Sequence, residues 1–212
     1  MKKLLLLLPF LLLASCKDSE EANDTHYNWK ERNAQWFAEV YDAAQVEIAS
    51  AKAQYGNEWG EHCNWRIYKT LLKSQDVQGP STDYIVCKIN VRGDGDWSPA
   101  YTDSVRLHYR GWIMDENYPA SKNNLTVFSQ TYFGDFDVKT AAPMAMPVTA
   151  TVEGFMTAIQ YMVRGDDWDV YIPQQLAYGE AASDAVPAYS TLLFRLRIEL
   201  VHKSGTGMPG WR

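Results

Sequence analysis

The 212-residue chain is poor in the side chains from which most catalytic centres are built. It has three cysteines and four histidines. His26, His62, His108 and His202 lie far apart in sequence, and only His62-Cys63 places two metal-ligating side chains side by side. Nothing completes a set at the spacing a tetrahedral zinc site needs. No serine stands in a Gly-x-Ser-x-Gly elbow, which removes the commonest hydrolase reading. No glycine-rich phosphate loop is present, no internal repeat, and no block of basic residues. The formal net charge is −6, so nucleic acid is excluded as a partner on electrostatic grounds. No metal and no cofactor are expected. Three acidic clusters are present: Asp94/Asp96, Asp135/Asp137 and Asp166/Asp167/Asp169. None has the twelve-residue spacing of a calcium loop. Each lies near a glycine, where aspartate favours turns, and turns are what they predict.

One apolar run stands out. It extends from Leu4 to Leu13, follows the basic start Met1-Lys2-Lys3, and closes on Leu13-Ala14-Ser15-Cys16. That order reads as a secretory signal peptide over residues 1–15. The cysteine at its end resembles a bacterial lipobox, in which cleavage leaves Cys16 at the new N-terminus carrying lipid. Acyl chains on Cys16, rather than charge, would then hold the protein at a membrane. The expected location is the outer membrane, on its periplasmic or cell-surface side. Residues 16–27 are polar and acidic, a composition that cannot bury enough apolar surface to fold, and they read as a flexible lipidated tether. Lys17-Asp18-Ser19-Glu20-Glu21 also resembles signals that send lipoproteins to the cell surface in some Gram-negative groups. A plain linker and an export signal both stay open.

Residues 28–80 form a helical N-terminal region. Trp36, Phe37, Val40, Tyr41, Ala44, Ile48 and Ala51 recur at three- and four-residue spacing, which predicts one helix from Asn28 to about Tyr55. Asn28 is the expected cap, with Glu31 placed for a reciprocal bond, and Gly56 and Gly60 end the helix. The stripe either packs on its own domain or pairs two copies as a homodimer. Trp65 to Lys69 fits a short strand or a helix. From there the period is two: Ile85/Cys87/Ile89/Val91, Val105/Leu107/Tyr109, Trp168/Val170/Ile172 and Phe194/Leu196/Ile198/Leu200 alternate with mostly polar neighbours. Half-polar strands predict an antiparallel sheet with one wet face, on which His108 would lie. One helical segment, Glu153 to Val163, interrupts them. The fold class is α+β, a sheet with one short helix against its apolar face. Cys63 and Cys87 either form a disulfide or remain buried thiols, and neither reads as catalytic. The glycine-rich residues 204–212 read as a flexible tail.

What remains is an ordered set of aromatic residues. Gly93-Asp94-Gly95, Val105-Arg106-Leu107-His108-Tyr109-Arg110-Gly111, Val127-Phe128-Ser129-Gln130, Val152-Glu153-Gly154-Phe155, Ile172-Pro173 leading into Ala177-Tyr178-Gly179, and Val186-Pro187-Ala188-Tyr189-Ser190-Thr191-Leu192 leading into Phe194 follow one another along the chain. In that order they resemble the FKBP-type peptidyl-prolyl cis-trans isomerases. The resemblance covers about Ile89 to Val201 and places an FKBP-like isomerase domain at 81–203. It implies a twisted antiparallel sheet wrapped on one short helix, behind the N-terminal helical arm. It also implies proline-containing polypeptides as substrates, with no cofactor. Carried over by position, it implies Tyr109, Phe128 and Phe194 as cleft walls and Phe155 as the floor. Met144 stands where the family has another aromatic. The Val152 N–H and the Tyr178 hydroxyl would hold substrate carbonyls, and Val186 and Tyr189 would line the loop over the cleft. Two positions depart from the pattern: Ser129 stands in place of an aspartate, and Phe155 in place of the usual tryptophan. The stretches from Gly111 to Phe128 and from Phe128 to Met144 are longer than in compact members. Two functions follow: an isomerase assisting the folding of exported proteins, or a non-catalytic lipoprotein subunit that binds peptides on the same fold.

Overall fold

The computed structural model describes residues 26–115, 125–183 and 185–211. The leader, Cys16, most of the tether and the Tyr118-Pro119 segment lie outside the described residues. No helix among the described residues is long and apolar enough to cross a membrane.

Helix α1 spans Trp29–Tyr55. The expected cap is not made. Asn28 sits in the left-handed region at φ 49°, a conformation asparagine tolerates, and its side chain caps nothing. Gly56, at φ 56°, ends the helix and returns its N–H to the Lys52 carbonyl. Gly60 does not terminate it but lies inside a further turn, α2 (Trp59–His62). The Gly60 carbonyl accepts from Arg66 at 2.6 Å and from Arg92 at 3.0 Å, and both guanidiniums also reach the Cys63 carbonyl. They fold the chain into the first strand.

The segment left open between helix and strand is strand β1 (Trp65–Lys69). It is followed by β2 (Tyr84–Val91), β3 (Ser104–Met114), β4 (Leu125–Gln130), β5 (Met144–Pro147), helix α3 (Glu153–Ile159), β6 (Asp167–Ile172) and β7 (Leu192–His202). The strands form one antiparallel sheet in the order β1-β2-β6-β7-β3-β4, with β5 also on β3. Strand β3 lies along β7 on one edge. Its other edge is shared, β5 pairing with Ser104 to Leu107 and β4 with Arg110 to Met114. Tyr109 falls in the interval between the two. There Thr131 closes the gap: the Tyr109 N–H donates to Thr131 Oγ1, and the Thr131 N–H donates to the Tyr109 carbonyl, both at 2.9 Å.

The main core lies between α3 and one face of the sheet, with Ile85, Cys87, Leu107, Ile159, Trp168, Ile172 and Leu196 buried together. Gly154 lets the helix approach, since a Cβ there would stand 2.3 Å from Ile172 Cγ2. Helix α3 is shorter than the periodicity predicts. The Asp166 carboxylate accepts the Val163 N–H at 2.7 Å and the Gly93 N–H at 2.8 Å, pinning the chain in a turn four residues after the helix ends. Both cysteines are free and buried, so no disulfide links them. Burial pushes the Cys87 thiol well above its ordinary range, which makes it an inert core residue.

The sheet does not have the wet second face that strand alternation predicts. Helix α1 covers much of it: Phe37 and Ala44 bury Val86, while Trp36 and Val40 pack with Met114, Tyr171 and Leu193. The stripe from Trp36 to Ala44 therefore packs on the chain's own sheet. Beyond α1, the same face carries a charged cluster. Asp167, only 7% exposed, accepts from Arg195 Nε at 2.8 Å and from Arg197 Nε at 2.6 Å. Asp167 and Asp169 thus belong to strand β6 and not to a turn, whereas Asp137 and Asp166 keep the turn reading. Downstream of β7, Ser204 N–H donates to Asp103 Oδ1 at 2.9 Å, and Arg106 donates to the Pro209 carbonyl.

His108 is on this face yet is 3% exposed, beneath the Phe136 ring at 4.9 Å. Burial, and secondarily the Arg197 guanidinium, hold its imidazole below the ordinary range. Glu199 Oε2 lies 3.9 Å from Nε2, too distant to hydrogen-bond to the ring. Between the depressed folded value and the ordinary value of about 6.5, the unfolded chain binds a proton that the folded chain does not. Stability therefore falls as pH drops through that window. Urea midpoints measured from pH 7.5 to 5 are expected to decline in the wild type and to decline less steeply in His108→Gln. Equal slopes in the two proteins would remove His108 as the cause.

Candidate active site

The sheet edges and the start of α3 meet around a cleft of about 570 Å³. Strand β3 supplies Tyr109, β4 supplies Phe128 and Ser129, β5 supplies Met144 and Met146, and β7 supplies Phe194. Val152 and Phe155 come from the entry and first turn of α3, and Tyr178, Ser183, Ala185 and Val186 from the segment between β6 and β7. Eight of the nine substrate-site residues expected from the sequence are brought together here. Tyr189 is not. It sits at φ 63°, packs with the Trp29/Trp36/Met114 cluster, and lies beneath Lys30 Nζ at 4.4 Å from its ring centre. The residues that sequence reasoning missed are small or flexible. Met146 was accessible, because it is two residues from Met144 on the same strand. Ala150, Thr151, Ser183 and Ala185 carry no signal of their own.

The rings form an edge-to-face box. Phe194 is central, with its centroid 5.0 Å from Phe155, 5.4 Å from Phe128 and 6.1 Å from Tyr109, at interplanar angles of 84°, 76° and 65°. Such contacts each stabilise by roughly 0.5–1.5 kcal/mol beyond area burial and fix ring orientation. Gly111 makes the box possible. A Cβ there would lie 2.6 Å from Phe194 and 2.9 Å from Phe128, so any side chain on it displaces two walls. The Tyr109 hydroxyl is 3.0 Å from Ser129 Oγ. Serine thus keeps a polar partner for the tyrosine without placing a carboxylate in the cleft. None of the described lining residues is an acid, a base, a cysteine or a histidine.

Two polar groups stand over the apolar floor. Tyr178 is 42% exposed, at the rim. The Val152 N–H precedes the first turn of α3 and has no partner among the described residues. An aromatic box with two phenolic hydroxyls, one of them paired with Ser129, one unpartnered amide and no activated nucleophile does not suit covalent or general acid–base chemistry. It suits binding a compact apolar ring with carbonyls on either side. No group of His, Cys, Asp and Glu among the described residues is arranged to hold a metal ion.

Residues 95–201 match the sequence model of the FKBP-type peptidyl-prolyl cis-trans isomerases. The chain belongs to this family. It is 37% identical over 132 residues to the FKBP-type 22 kDa peptidyl-prolyl cis-trans isomerase of Escherichia coli, covering 61% of this chain and 57% of that protein. It is 30% identical over 139 residues to the peptidyl-prolyl cis-trans isomerase Mip of Coxiella burnetii, covering 65% and 54%. It is also 30% identical over 166 residues to the macrophage infectivity potentiator of Trypanosoma cruzi, covering 76% and 77%. The chain thus spans a little over half the length of the first two relatives. The family match begins after β2 and leaves out α1, β1 and β2, although β2 is hydrogen-bonded to β6 inside the same sheet.

Proposed function

We propose that this cleft catalyses cis–trans isomerisation of X–Pro peptide bonds in exported polypeptides. The observation that carries the reading is the aromatic box with an N–H and a hydroxyl at its rim and no carboxylate, histidine, cysteine, lysine or arginine among its described lining residues. Rotation about an X–Pro bond is opposed by amide resonance, a barrier of about 18–20 kcal/mol. At the twisted geometry the nitrogen leaves conjugation and the carbonyl loses part of its charge separation. An apolar cleft disfavours the charge-separated planar amide and accepts the twisted one, so the site favours the transition state over the ground state. Lowering the barrier by about 8 kcal/mol accelerates the reaction roughly a million-fold. No covalent intermediate and no cofactor enter.

In this reading Phe194, Phe128 and Tyr109 grip the pyrrolidine ring, and Phe155 is the floor. The Val152 N–H and Tyr178 hydroxyl hold the flanking carbonyls in a turn that suits the twisted bond. Met144 and Val186 complete the cleft. Cys16 carries the lipid, residues 16–27 form the tether, and the enzyme works at the envelope on chains that have crossed the inner membrane. The test is exchange NMR on a Leu-Pro peptide. Catalysed cis–trans exchange is expected, with Tyr178→Phe lowering kcat/KM by about tenfold, the upper range for one hydrogen bond. Exchange no faster than in buffer would overturn the proposal. Peptide binding without exchange would favour the second reading, a peptide-binding subunit.

A further inference from the structure

The loop over the cleft is not free-standing. Residues 177–191 leave the sheet after β6, carry Tyr178 and Val186 to the cleft, and return to β7. Their return limb is buried against the first turn of α1. The Thr191 N–H donates to Asn33 Oδ1 at 2.8 Å, and Thr191 Oγ1 donates to the Asn33 carbonyl at 3.0 Å. The Trp29 indole N–H donates to Ser190 Oγ at 3.1 Å, and that hydroxyl donates to the Pro187 carbonyl at 2.7 Å. Asn33 Nδ2 closes the set on the Trp29 carbonyl at 2.8 Å. Asn33 is fully buried, Thr191 is 1% exposed and Ser190 is 3% exposed.

These bonds lead on toward the cleft. Tyr189, next to Ser190, is held at positive φ beneath Lys30, and its N–H donates to the Gly179 carbonyl at 2.7 Å. Gly179 follows Tyr178 directly. On the other limb Ser183 and Val186 are bridged, with the Ser183 N–H donating to the Val186 carbonyl at 2.8 Å. A buried asparagine on an apolar helix stripe is costly unless its polar atoms are matched. Here Oδ1 is matched by the loop backbone at Thr191 and Nδ2 by the helix carbonyl of Trp29.

We propose that the first turn of α1 is a positioning element of the cleft: Asn33, with Trp29, fixes the 177–191 loop so that Tyr178 and Val186 face the substrate. The inference rests on the isomerase reading for its catalytic consequence, but its structural content stands apart from it. Without the anchor, the loop samples conformations in which the cleft is incomplete. Apparent affinity then falls in proportion to the competent fraction. Binding suffers first, while a substrate already seated meets the same walls.

The experiment uses the exported chain with Asn33→Ala and Ser190→Ala, and with Phe37→Leu as a control that weakens α1 on the sheet without touching the loop. Native-state hydrogen exchange at the Val186 and Thr191 amides is read first, without substrate. Exchange is expected to quicken at least tenfold in Asn33→Ala and severalfold in Ser190→Ala. In Phe37→Leu it should change no more than at amides of β7. KM for a Leu-Pro peptide should rise about tenfold in Asn33→Ala with kcat reduced less than threefold, and both should stay within twofold in Phe37→Leu. Unchanged loop exchange in a folded Asn33→Ala protein overturns the inference, whatever the activity. Should that variant fail to fold, Trp29→Phe removes the indole donor while keeping an aromatic ring in the Trp36/Met114 cluster, and unchanged exchange at Thr191 there is equally fatal. A wild-type protein that binds peptide but does not isomerise it would sink the isomerase reading and leave the exchange result standing.

Discussion

Phe194→Ala is expected to lower kcat/KM by at least a hundredfold and to cost about 3–5 kcal/mol of folding stability. The two effects have one origin. Phe194 is 5% exposed and touches three other rings of the cleft while also closing the main core, so its loss opens a cavity that Gly111 cannot fill. Phe194→Leu separates the contributions. Leucine restores most of the buried volume but not the edge-to-face contacts, so stability should recover by half or more while activity stays low. Urea unfolding and the exchange assay check the two arms. A Phe194→Leu enzyme with wild-type kcat/KM would show that ring geometry does not matter to the reaction.

The second large effect is expected far from the cleft. Asp167→Ala leaves two guanidiniums, Arg195 and Arg197, without the carboxylate that accepts from both. Removing one member of a buried ion cluster costs about 3–5 kcal/mol, because the remaining charge is stranded. Arg195 retains some contact with water, with 34% of its side chain exposed, which puts the expected loss near 3 kcal/mol. The loss should persist in 1 M salt, since pairs this buried are weakly screened. Replacing all three residues by apolar ones of similar size should recover much of the stability. A loss under 1 kcal/mol in Asp167→Ala would mean that the arginines find other partners.

What the sequence disclosed follows the range of the interactions involved. The strands were legible because side-chain alternation is local, and α1 because its stripe repeats every turn. Tyr109, Phe128, Tyr178 and Phe194 were legible because their order along the chain resembles a known family, and the structure brings them to one cleft. The destination of the α1 stripe was not legible. Val86, Tyr171 and Leu193 occupy the alternate positions of their strands and read as solvent-facing until a helix distant in sequence covers them. His108 failed for the same reason, since its cover is Phe136 from the β4–β5 connection. Asp167 shares its acidic cluster with Asp166, which is in a turn; one residue further the chain is already a strand, and the partners of Asp167 lie about thirty residues on. Tyr189 misled because it follows the family order yet turns at positive φ toward the helix.

The bonds between Asn33 and Thr191 join residues 158 positions apart, and the Trp29–Ser190 bond spans 161. Contacts of such sequence separation form only after the intervening chain has been drawn in, which makes them late events in folding. The middle of α1 can pack on β1 and β2 early, but its N-terminal end has no partners until the chain has reached residues 190 and 191. Docking of that end also secures the 177–191 loop, so a chain folded everywhere except there would hold its aromatic box with the loop beside it unanchored. The order of assembly thus leaves the rim of the cleft as the last part of the fold to be fixed.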